Sequence, residues 1–372
     1  MATKKTSTKA RAKVTPPAAP AGRVRVAVKA AEGGAIEPGS SYFANSSQRT
    51  GLEFVSTGCT LLDQALGGGY ALGRMSNIIG DKSTGKTLLA IEAVTNFCRT
   101  YADGPVRYLE AESAFDKEYA RALGLPLDRV TWAEMVDKKG ESDRTVEWWY
   151  EDLVKFLDEL NGRPGIYVVD SLDALSDRGE IARDISDGSF GGAKPKKIGE
   201  LFRRLVGRIE ESRVLVLIIS QIRDKIGVTF GETKMRTGGK AMDFYATHCL
   251  WLAQIKTLTR TVAKIDRATG VMIRAKVKKN KIGLPFRECD FPLLFGYGVD
   301  DVTAAVEWLV AAGKQERLAE VDMSVAGYKM RIQSLRNKGG PEMAAVRAKL
   351  SQMVVTEWSA IEQSFLPTAS KY

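Results

Sequence analysis

The sequence is poor in the residues that build metal clusters, disulfide frameworks and membrane spans. Its 372 residues include one histidine and four cysteines, and no Cys-x-x-Cys pair occurs. We therefore expect His248 to be a core residue and the cysteines to be buried, reduced thiols, which favours a cytoplasmic location. No run of residues approaches the roughly 18 consecutive apolar positions that a membrane span requires, so we expect no membrane partner.

Acidic residues are missing from the first 30 positions, where eight lysines and arginines lie among prolines, alanines and threonines. Such a segment buries too little apolar surface to offset the entropy lost on ordering. We predict that residues 1–50 form a disordered basic tail and linker. The net charge of the chain is +10, and such a surplus favours contact with nucleic-acid phosphates. An organellar transit peptide is the alternative for the tail, because such peptides are also basic and acid-poor.

From about residue 51 to residue 300, short apolar runs alternate with stretches of helical spacing. The runs predicted to be strands are Met75–Ile79, Val106–Leu109, Ile166–Val169 and Val214–Ile219. Continuous apolar strands between helices are typical of a mostly parallel sheet that is covered on both faces. We therefore predict an α/β core with a mostly parallel central sheet flanked by helices.

In two later stretches the spacing of the apolar residues differs from that of the parallel core. Val271–Lys278 alternates apolar with polar residues, which predicts a half-exposed antiparallel strand. Residues 301–372 are predicted to form a small helical domain, with one helix at Val302–Ala312 that ends at Gly313. Glu342–Phe365 is predicted to be one long amphipathic helix or two short ones.

The strongest functional motif matches the pattern G-x-x-x-x-G-K-[ST] and lies between a predicted strand and a predicted helix. Its residues are Gly80, Asp81, Lys82, Ser83, Thr84, Gly85, Lys86 and Thr87. Backbone N–H groups of such a loop converge on phosphate oxygens, and the N-terminus of the following helix favours negative charge. We predict that the loop binds ATP, with Lys86 on the terminal phosphates and the Thr87 hydroxyl on Mg²⁺.

Three predicted strands are followed by polar side chains, and a parallel sheet brings these to the same edge as the phosphate loop. Asp170 ends an apolar strand and is the expected second Mg²⁺ ligand. Either Glu110 or Glu112 could orient or deprotonate the attacking water, and the residues alone leave this open. Gln221 is expected to sense the γ-phosphate by hydrogen bonding.

Glycine-rich cationic segments follow two of these strands, at Asp177–Lys197 and Ile222–Gly239. We interpret both as loops that bind single-stranded DNA through its phosphates and exposed bases. Solvated loops without a function are the alternative, since they have a similar composition. The candidate DNA-binding residues are Lys194, Lys196, Lys197, Arg203, Arg223, Lys225, Gly227, Phe230, Lys234, Arg236, Gly238 and Gly239.

Taken in this order, the motifs resemble those of the RecA family of DNA recombinases. The resemblance runs from about Gly51 to about Val299 and includes the segments Tyr108–Asp116 and Gln221–Val228. It implies a RecA-like ATPase core, and it assigns the catalytic glutamate to Glu112. The further residues that it implies are Asp116, Tyr119 and Phe295 at the adenine, Lys279 and Lys281 at a neighbouring subunit's ATP, and Phe244 in the subunit interface.

The resemblance implies an ATP-dependent recombinase that forms helical filaments on single-stranded DNA and exchanges strands with homologous duplex DNA. Two alternatives would use the same phosphate site: a hexameric DNA motor or helicase, and an accessory ATPase that binds DNA without exchange. The segment before Arg49 is polar and glycine-rich, where the family usually has a packing helix. This departure is typical of a divergent member, such as one encoded by a phage or a mobile element.

Removing Met1–Ala30 is expected to weaken DNA binding and to flatten its dependence on salt, because each phosphate contact releases counterions. The measurement is the dissociation constant for single-stranded DNA, taken between roughly 50 and 200 mM salt for the full and the truncated chain. An unchanged slope would show that the tail makes no phosphate contacts.

Overall fold

A computed structural model describes residues 51–184, 193–224, 234–236 and 239–367. The predicted tail and linker lie outside the described residues, and so do the candidate DNA-binding residues Lys225, Gly227, Phe230 and Gly238. The strands are β1 (Phe54–Val55), β2 (Tyr70–Ala71), β3 (Arg74–Gly80), β4 (Val106–Glu110), β5 (Val130–Trp132), β6 (Gly165–Asp170), β7 (Val214–Asp224), β8 (Lys234–Arg236), β9 (His248–Val262), β10 (Ile265–Asn280), β11 (Glu288–Leu294) and β12 (Gly298–Val299). The helices are α1 (Thr60–Leu66), α2 (Lys86–Thr100), α3 (Lys117–Ala122), α4 (Val146–Glu159), α5 (Arg178–Ile181), α6 (Ala193–Glu211), α7 (Gly239–Tyr245), α8 (Asp301–Ala311), α9 (Tyr328–Lys338) and α10 (Gly340–Ser364).

The central sheet is mostly parallel, which confirms the predicted fold class. Within the described ranges it has ten strands, in the order β12-β11-β10-β9-β3-β7-β6-β4-β5, with β8 paired to β7. The strands from β9 to β5 in this order are parallel to their neighbours. All six residues of β6 are buried, since a parallel strand in the middle of the sheet is covered on both faces.

Two apolar cores receive alternate residues of these strands and therefore lie on opposite faces of the sheet. Val168 and Leu217 belong to the core that includes α1, α2 and the helices after residue 300. Tyr167 and Val216 belong to the other core, which α4 and α6 cover. The cores hold the parallel strands in register, and the register decides which side chains meet at the edge of the sheet.

The predicted half-exposed strand is confirmed as part of β10, which is antiparallel to both β9 and β11. Ile273, Ala275 and Val277 are fully buried, while Arg274 and Lys276 between them are exposed. The strand is longer than predicted because β9 and β10 continue as an exposed two-stranded ribbon, whose turn residues are Ala263 and Lys264.

The two helices predicted after residue 300 correspond to α8 and α10, whereas α9 between them was not predicted. The chain leaves α8 through Gly313, whose φ of 73° favours glycine. The region predicted as one or two helices is the single helix α10. Asp301 ties these helices to α1, because its carboxylate accepts hydrogen bonds from the Thr60 N–H at 2.6 Å and the Arg347 Nε at 3.1 Å. The predicted domain boundary at residue 300 stays a prediction.

The interpretation of Asp177–Lys197 and Ile222–Gly239 as loops was wrong over their described parts. Asp177 caps the short helix α5, and Lys194, Lys196, Lys197 and Arg203 lie in α6. The cationic stretch forms the first turns of α6 because the apolar residues that follow this stretch have helical spacing and are buried. Arg223 belongs to β7 and pairs with β8, which contains Lys234 and Arg236, and Gly239 begins α7.

The scarce residues have the predicted places. His248 is fully buried beside Ser76, with 3.0 Å between its Nδ1 and the Ser76 Oγ. Cys59, Cys98, Cys249 and Cys289 are buried, and none of the four forms a disulfide. In the described part of the chain, no helix is long and apolar enough to cross a membrane.

Acid is expected to destabilise the fold partly through His248. Burial lowers the pKa of His248 from 6.5 to about 4, so this side chain favours the folded state above its unfolded pKa. That contribution is lost as the pH falls from about 6.5 through about 4, and it is on the order of 3 kcal/mol. The free energy of unfolding, measured across this range, should therefore fall less steeply for a His248→Asn variant. At pH 8, where the histidine is neutral in both states, the two slopes should agree; parallel curves down to pH 4 would contradict the prediction.

Candidate nucleotide-binding site

A cavity of about 570 Å³ opens at the edge of the sheet where β3, β4, β6 and β7 end. The predicted site residues that line it are Lys82, Ser83, Thr84, Gly85, Lys86, Thr87, Glu112, Asp116, Tyr119, Asp170, Gln221 and Phe295. Gly80 is the last residue of β3, and Asp81 lines a neighbouring cavity instead. The structure thus brings together the residues from the phosphate loop and from three strand ends.

The phosphate loop has the backbone shape that its glycines predict. Gly85 has a φ of 81° and immediately precedes α2, and a side chain at this position would collide with Leu293. Ser83, with a φ of 59°, is also left-handed. The loop thus places the N-terminus of α2 at the cavity wall, and the backbone N–H groups of a helix N-terminus favour phosphate binding.

Lys86 is held inside this loop. Only 9% of it is exposed, and its Nζ donates to the Asp81 carbonyl at 2.7 Å. Burial lowers the pKa of Lys86, while the carboxylates of Asp170 and Glu112 oppose this change. A phosphate oxygen could take the place of the carbonyl and would add negative charge beside a partly desolvated ammonium group.

Asp170 lies at the end of β6 and is 5% exposed. Its Oδ2 accepts a hydrogen bond from the Tyr108 hydroxyl at 2.9 Å. Burial raises the pKa of Asp170 to about 6, and hydrogen bonds from Thr87 and Tyr108 act in the opposite direction. A carboxylate and a hydroxyl in contact are oxygen donors of the kind that Mg²⁺ prefers, so Thr87 and Asp170 fit this ion.

The geometry separates the two candidate glutamates. Glu110 Oε1 accepts hydrogen bonds from the N–H groups of Glu112 at 3.0 Å and Ala114 at 3.1 Å. It therefore holds the turn after β4. Glu112 lines the cavity, and its Oε1 meets the Ser171 hydroxyl and the Gln221 Nε2. The structure places Glu112, and not Glu110, where a water molecule could be activated.

Gln221 has two contacts that the sequence did not predict. Its side chain donates to Glu112 Oε1 at 2.9 Å, and its backbone N–H donates to Asp173 Oδ2 at 2.7 Å. The residue after it, Ile222, begins the pairing with β8. Gln221 thus joins the cavity to the second cationic segment.

The residues expected at the adenine gather at another part of the cavity wall. Asp116 caps α3 by accepting a hydrogen bond from the Tyr119 N–H at 2.9 Å. Tyr119 lies near the turn after β11, where its hydroxyl accepts from the Gly296 N–H at 3.5 Å. Phe295 in the same turn is 59% exposed, which leaves its ring free to cover a planar base.

Lys279, Lys281 and Phe244 form a separate cluster and do not line the cavity. The Lys279 Nζ donates to the carbonyls of Asp243 and Phe244. The Lys281 Nζ lies 5.8 Å from the centre of the Phe244 ring, and Phe244 is 69% exposed. Within one chain, these lysines are therefore not among the residues that enclose the nucleotide cavity.

Sequence reasoning missed three supporting residues: Tyr108, Ser171 and Asp173. Tyr108 lies in an apolar strand and was not singled out. The available signal was its hydroxyl, because a buried tyrosine usually needs a hydrogen-bond partner. Ser171 and Asp173 follow β6, and the Asp170–Ser171 peptide bond is cis. No pattern in the sequence pairs Asp173 with a backbone N–H group 48 residues away.

The RecA N-terminal domain matches residues 36–300 of the chain. The chain belongs to the RecA family. Every residue that lines the cavity lies within the matched region. The candidate nucleotide-binding site therefore belongs to the RecA N-terminal domain.

Individual relatives agree with this membership. The chain is 38% identical to Protein RecA of Treponema denticola over 256 residues, which are 68% of this chain and 58% of the relative. It is 35% identical to Protein RecA of Synechocystis sp. over 258 residues, which are 69% of this chain and 68% of the relative. The match therefore spans about six tenths to two thirds of the length of these relatives.

Lys86→Ala is expected to abolish the stabilisation of the fold by Mg-ATP, because it removes the ammonium group that lines the cavity where we expect the phosphates to bind. For the unchanged chain, ATP at 100 times its dissociation constant should raise the free energy of unfolding by about 2.7 kcal/mol. The measurement is the unfolding temperature with and without Mg-ATP. Lys155→Ala is the control, since Lys155 is 69% exposed on α4. An equal ATP-induced shift in Lys86→Ala would contradict the assignment.

Proposed function

We propose that the chain is an ATP-dependent DNA recombinase that forms a filament on single-stranded DNA and pairs it with homologous duplex DNA. The observation that carries the proposal is the hydrogen bond from Gln221 Nε2 to Glu112 Oε1 in the cavity. Gln221 also leads directly into the β7–β8 pair and the second cationic segment. One side chain can therefore transmit the state of the nucleotide to a segment suited to DNA. The relatives named Protein RecA support the same function.

In hydrolysis, Glu112 accepts a proton from the water that attacks the γ-phosphorus, and ADP and phosphate are the products. Lys86 balances the negative charge on the phosphoryl oxygens during transfer. Thr87 and Asp170 would hold a Mg²⁺ ion, which would supply further positive charge at the phosphates. The Gln221 amide turns from Glu112 to the γ-phosphate when ATP binds, so the glutamate becomes available to the water.

Both cationic segments are connected to the cavity through Asp173. Its carboxylate accepts from the Gln221 N–H at 2.7 Å, and its carbonyl accepts from the Lys194 Nζ at 3.3 Å. Lys194 lies at the start of α6, where Lys196 and Lys197 are exposed. ATP binding therefore favours one arrangement of both segments, and DNA bound to them favours the same state of the site.

We further propose that Lys279 and Lys281 complete the site of a neighbouring subunit. Both lie beside the exposed Phe244 and outside the cavity of their own chain. Cationic side chains supplied by a neighbour would neutralise phosphoryl charge only in an assembled filament. The assembly would thus control hydrolysis. The four cysteines are buried and form no disulfide, which supports a reducing compartment, and we propose the cytoplasm.

The test is ATP hydrolysis by the full chain, with and without single-stranded DNA, at increasing protein concentration. We expect DNA to increase turnover at least tenfold, with a steep dependence on protein concentration. Glu112→Gln should lose this turnover and still bind ATP, because only the proton acceptor is removed. A joint-molecule assay should show pairing with homologous duplex DNA and none with unrelated duplex. Directional unwinding without pairing would favour a motor, and DNA binding without turnover would favour an accessory protein.

A mixing experiment tests the shared site. Glu112→Gln and the double variant Lys279→Ala/Lys281→Ala should each be inactive alone. Mixed together on DNA, they should recover part of the turnover, because some interfaces then combine an intact cavity with an intact lysine pair. Full activity of the lysine variant alone would overturn the proposal of a shared site.

A further inference from the structure

The turn that carries Glu112 has an unfavourable backbone. It joins β4 to α3, and Glu112 and Ser113 are exposed there. Ser113 has a φ of 57°, a left-handed conformation that residues other than glycine rarely adopt. Such a turn keeps one shape only when its surroundings hold it. The position of the Glu112 carboxylate therefore depends on what holds the turn.

Arg144 holds this turn on both sides of Glu112. Its Nη1 donates to the Ala111 carbonyl at 2.8 Å, and its Nη2 donates to the Ser113 Oγ at 2.6 Å. The two acceptors belong to the residues immediately before and after Glu112. A planar guanidinium that binds two acceptors fixes their relative orientation as well as their distance.

Arg144 is itself anchored to the segment that follows β6. Its carbonyl accepts from the Ser176 N–H at 2.9 Å, and the Val146 N–H donates to the Ser176 carbonyl at 2.9 Å. Thr145 between them caps α4 by accepting from the Trp148 N–H. The same segment after β6 begins with Ser171, whose hydroxyl meets the Glu112 carboxylate. The segment after β6 thus contacts both the Glu112 carboxylate, through Ser171, and Arg144, which binds the turn.

We propose that Arg144 is a positioning residue for Glu112 in ATP hydrolysis. This inference rests on the proposed function, in which Glu112 accepts the proton of the attacking water. Arg144 does not line the cavity, so it acts through the turn and not on the nucleotide. Misplacing a catalytic group by about 1 Å costs on the order of 100-fold in rate, and the loss of Arg144 should reduce turnover roughly 10- to 100-fold.

The first experiment compares Arg144→Ala with the unchanged chain in steady-state ATP hydrolysis at saturating single-stranded DNA. The kcat should fall, while the KM for ATP changes less than twofold, because Arg144 makes no contact with the nucleotide. Arg144→Lys should be intermediate, since an ammonium group cannot bind both acceptors in the same plane. The matched control is Arg129→Ala. Arg129 also donates to two loop carbonyls, those of Tyr101 and Gly104, but it lies away from the cavity, and its loss should leave kcat unchanged.

The deciding experiment repeats Arg144→Ala in a Glu112→Gln background, with single-turnover rates to resolve the residual activity. If Arg144 acts through Glu112, the second substitution should cause no further loss. An equal loss in both backgrounds would overturn the proposal, because a general effect on folding acts on both alike. If Arg144→Ala does not fold, Ser113→Ala removes one of the two contacts alone. Ser113→Ala should lower kcat in the otherwise unchanged chain and cause no further loss in the Glu112→Gln background. An unchanged kcat would count against the proposal.

Different results would overturn the proposed function and the role of Arg144. If the unchanged chain shows no DNA-stimulated turnover, the proposed function fails. If the unchanged chain turns over ATP and Glu112→Gln does not, while Arg144→Ala has full activity, only the role of Arg144 is overturned.

Discussion

The register of the parallel strands is the constraint on which the site depends. Gly80 at the end of β3 lies opposite Gln221 of β7, and Asp170 at the end of β6 lies opposite Glu110 of β4. Because parallel strands in register end at one edge, the phosphate loop, the Asp170 carboxylate and Gln221 meet there. A shift of one residue in β6 would turn Asp170 to the other face of the sheet.

Charge in the cavity depends on the same arrangement. Burial lowers the pKa of Lys86 and raises that of Asp170 to about 6, so each charged form is costly alone. The two groups offset part of this cost for each other. A polyphosphate with a divalent cation brings both signs of charge to the same place, and its binding is therefore favoured by a site that holds Lys86, Thr87 and Asp170 together.

Sequence patterns predicted β3, β4, β6 and β7 and the polar residues at their ends, because a strand buried on both faces is apolar along its length. They failed for the described parts of Asp177–Lys197, where glycine and lysine suggested a loop but α6 begins at Ala193. The cationic turn of this helix is stabilised by the burial of Ile198 and Phe202, which lie outside the stretch that was interpreted. The composition of a segment does not predict its structure here, because the helix is stabilised by apolar residues that follow the segment and are buried.

The sequence by itself determined the fold class, the phosphate loop and the strand ends, because these follow from local patterns of apolar residues, glycine and polar side chains. Tertiary structure alone decided which glutamate faces the cavity. It also decided that Asp173 contacts the backbone of Gln221 and that Arg144 contacts Ala111 beside Glu112, over separations of 48 and 33 residues. Hydrogen bonds between residues so far apart have no local signature, since they form only after the sheet and its covering helices have brought the segments together.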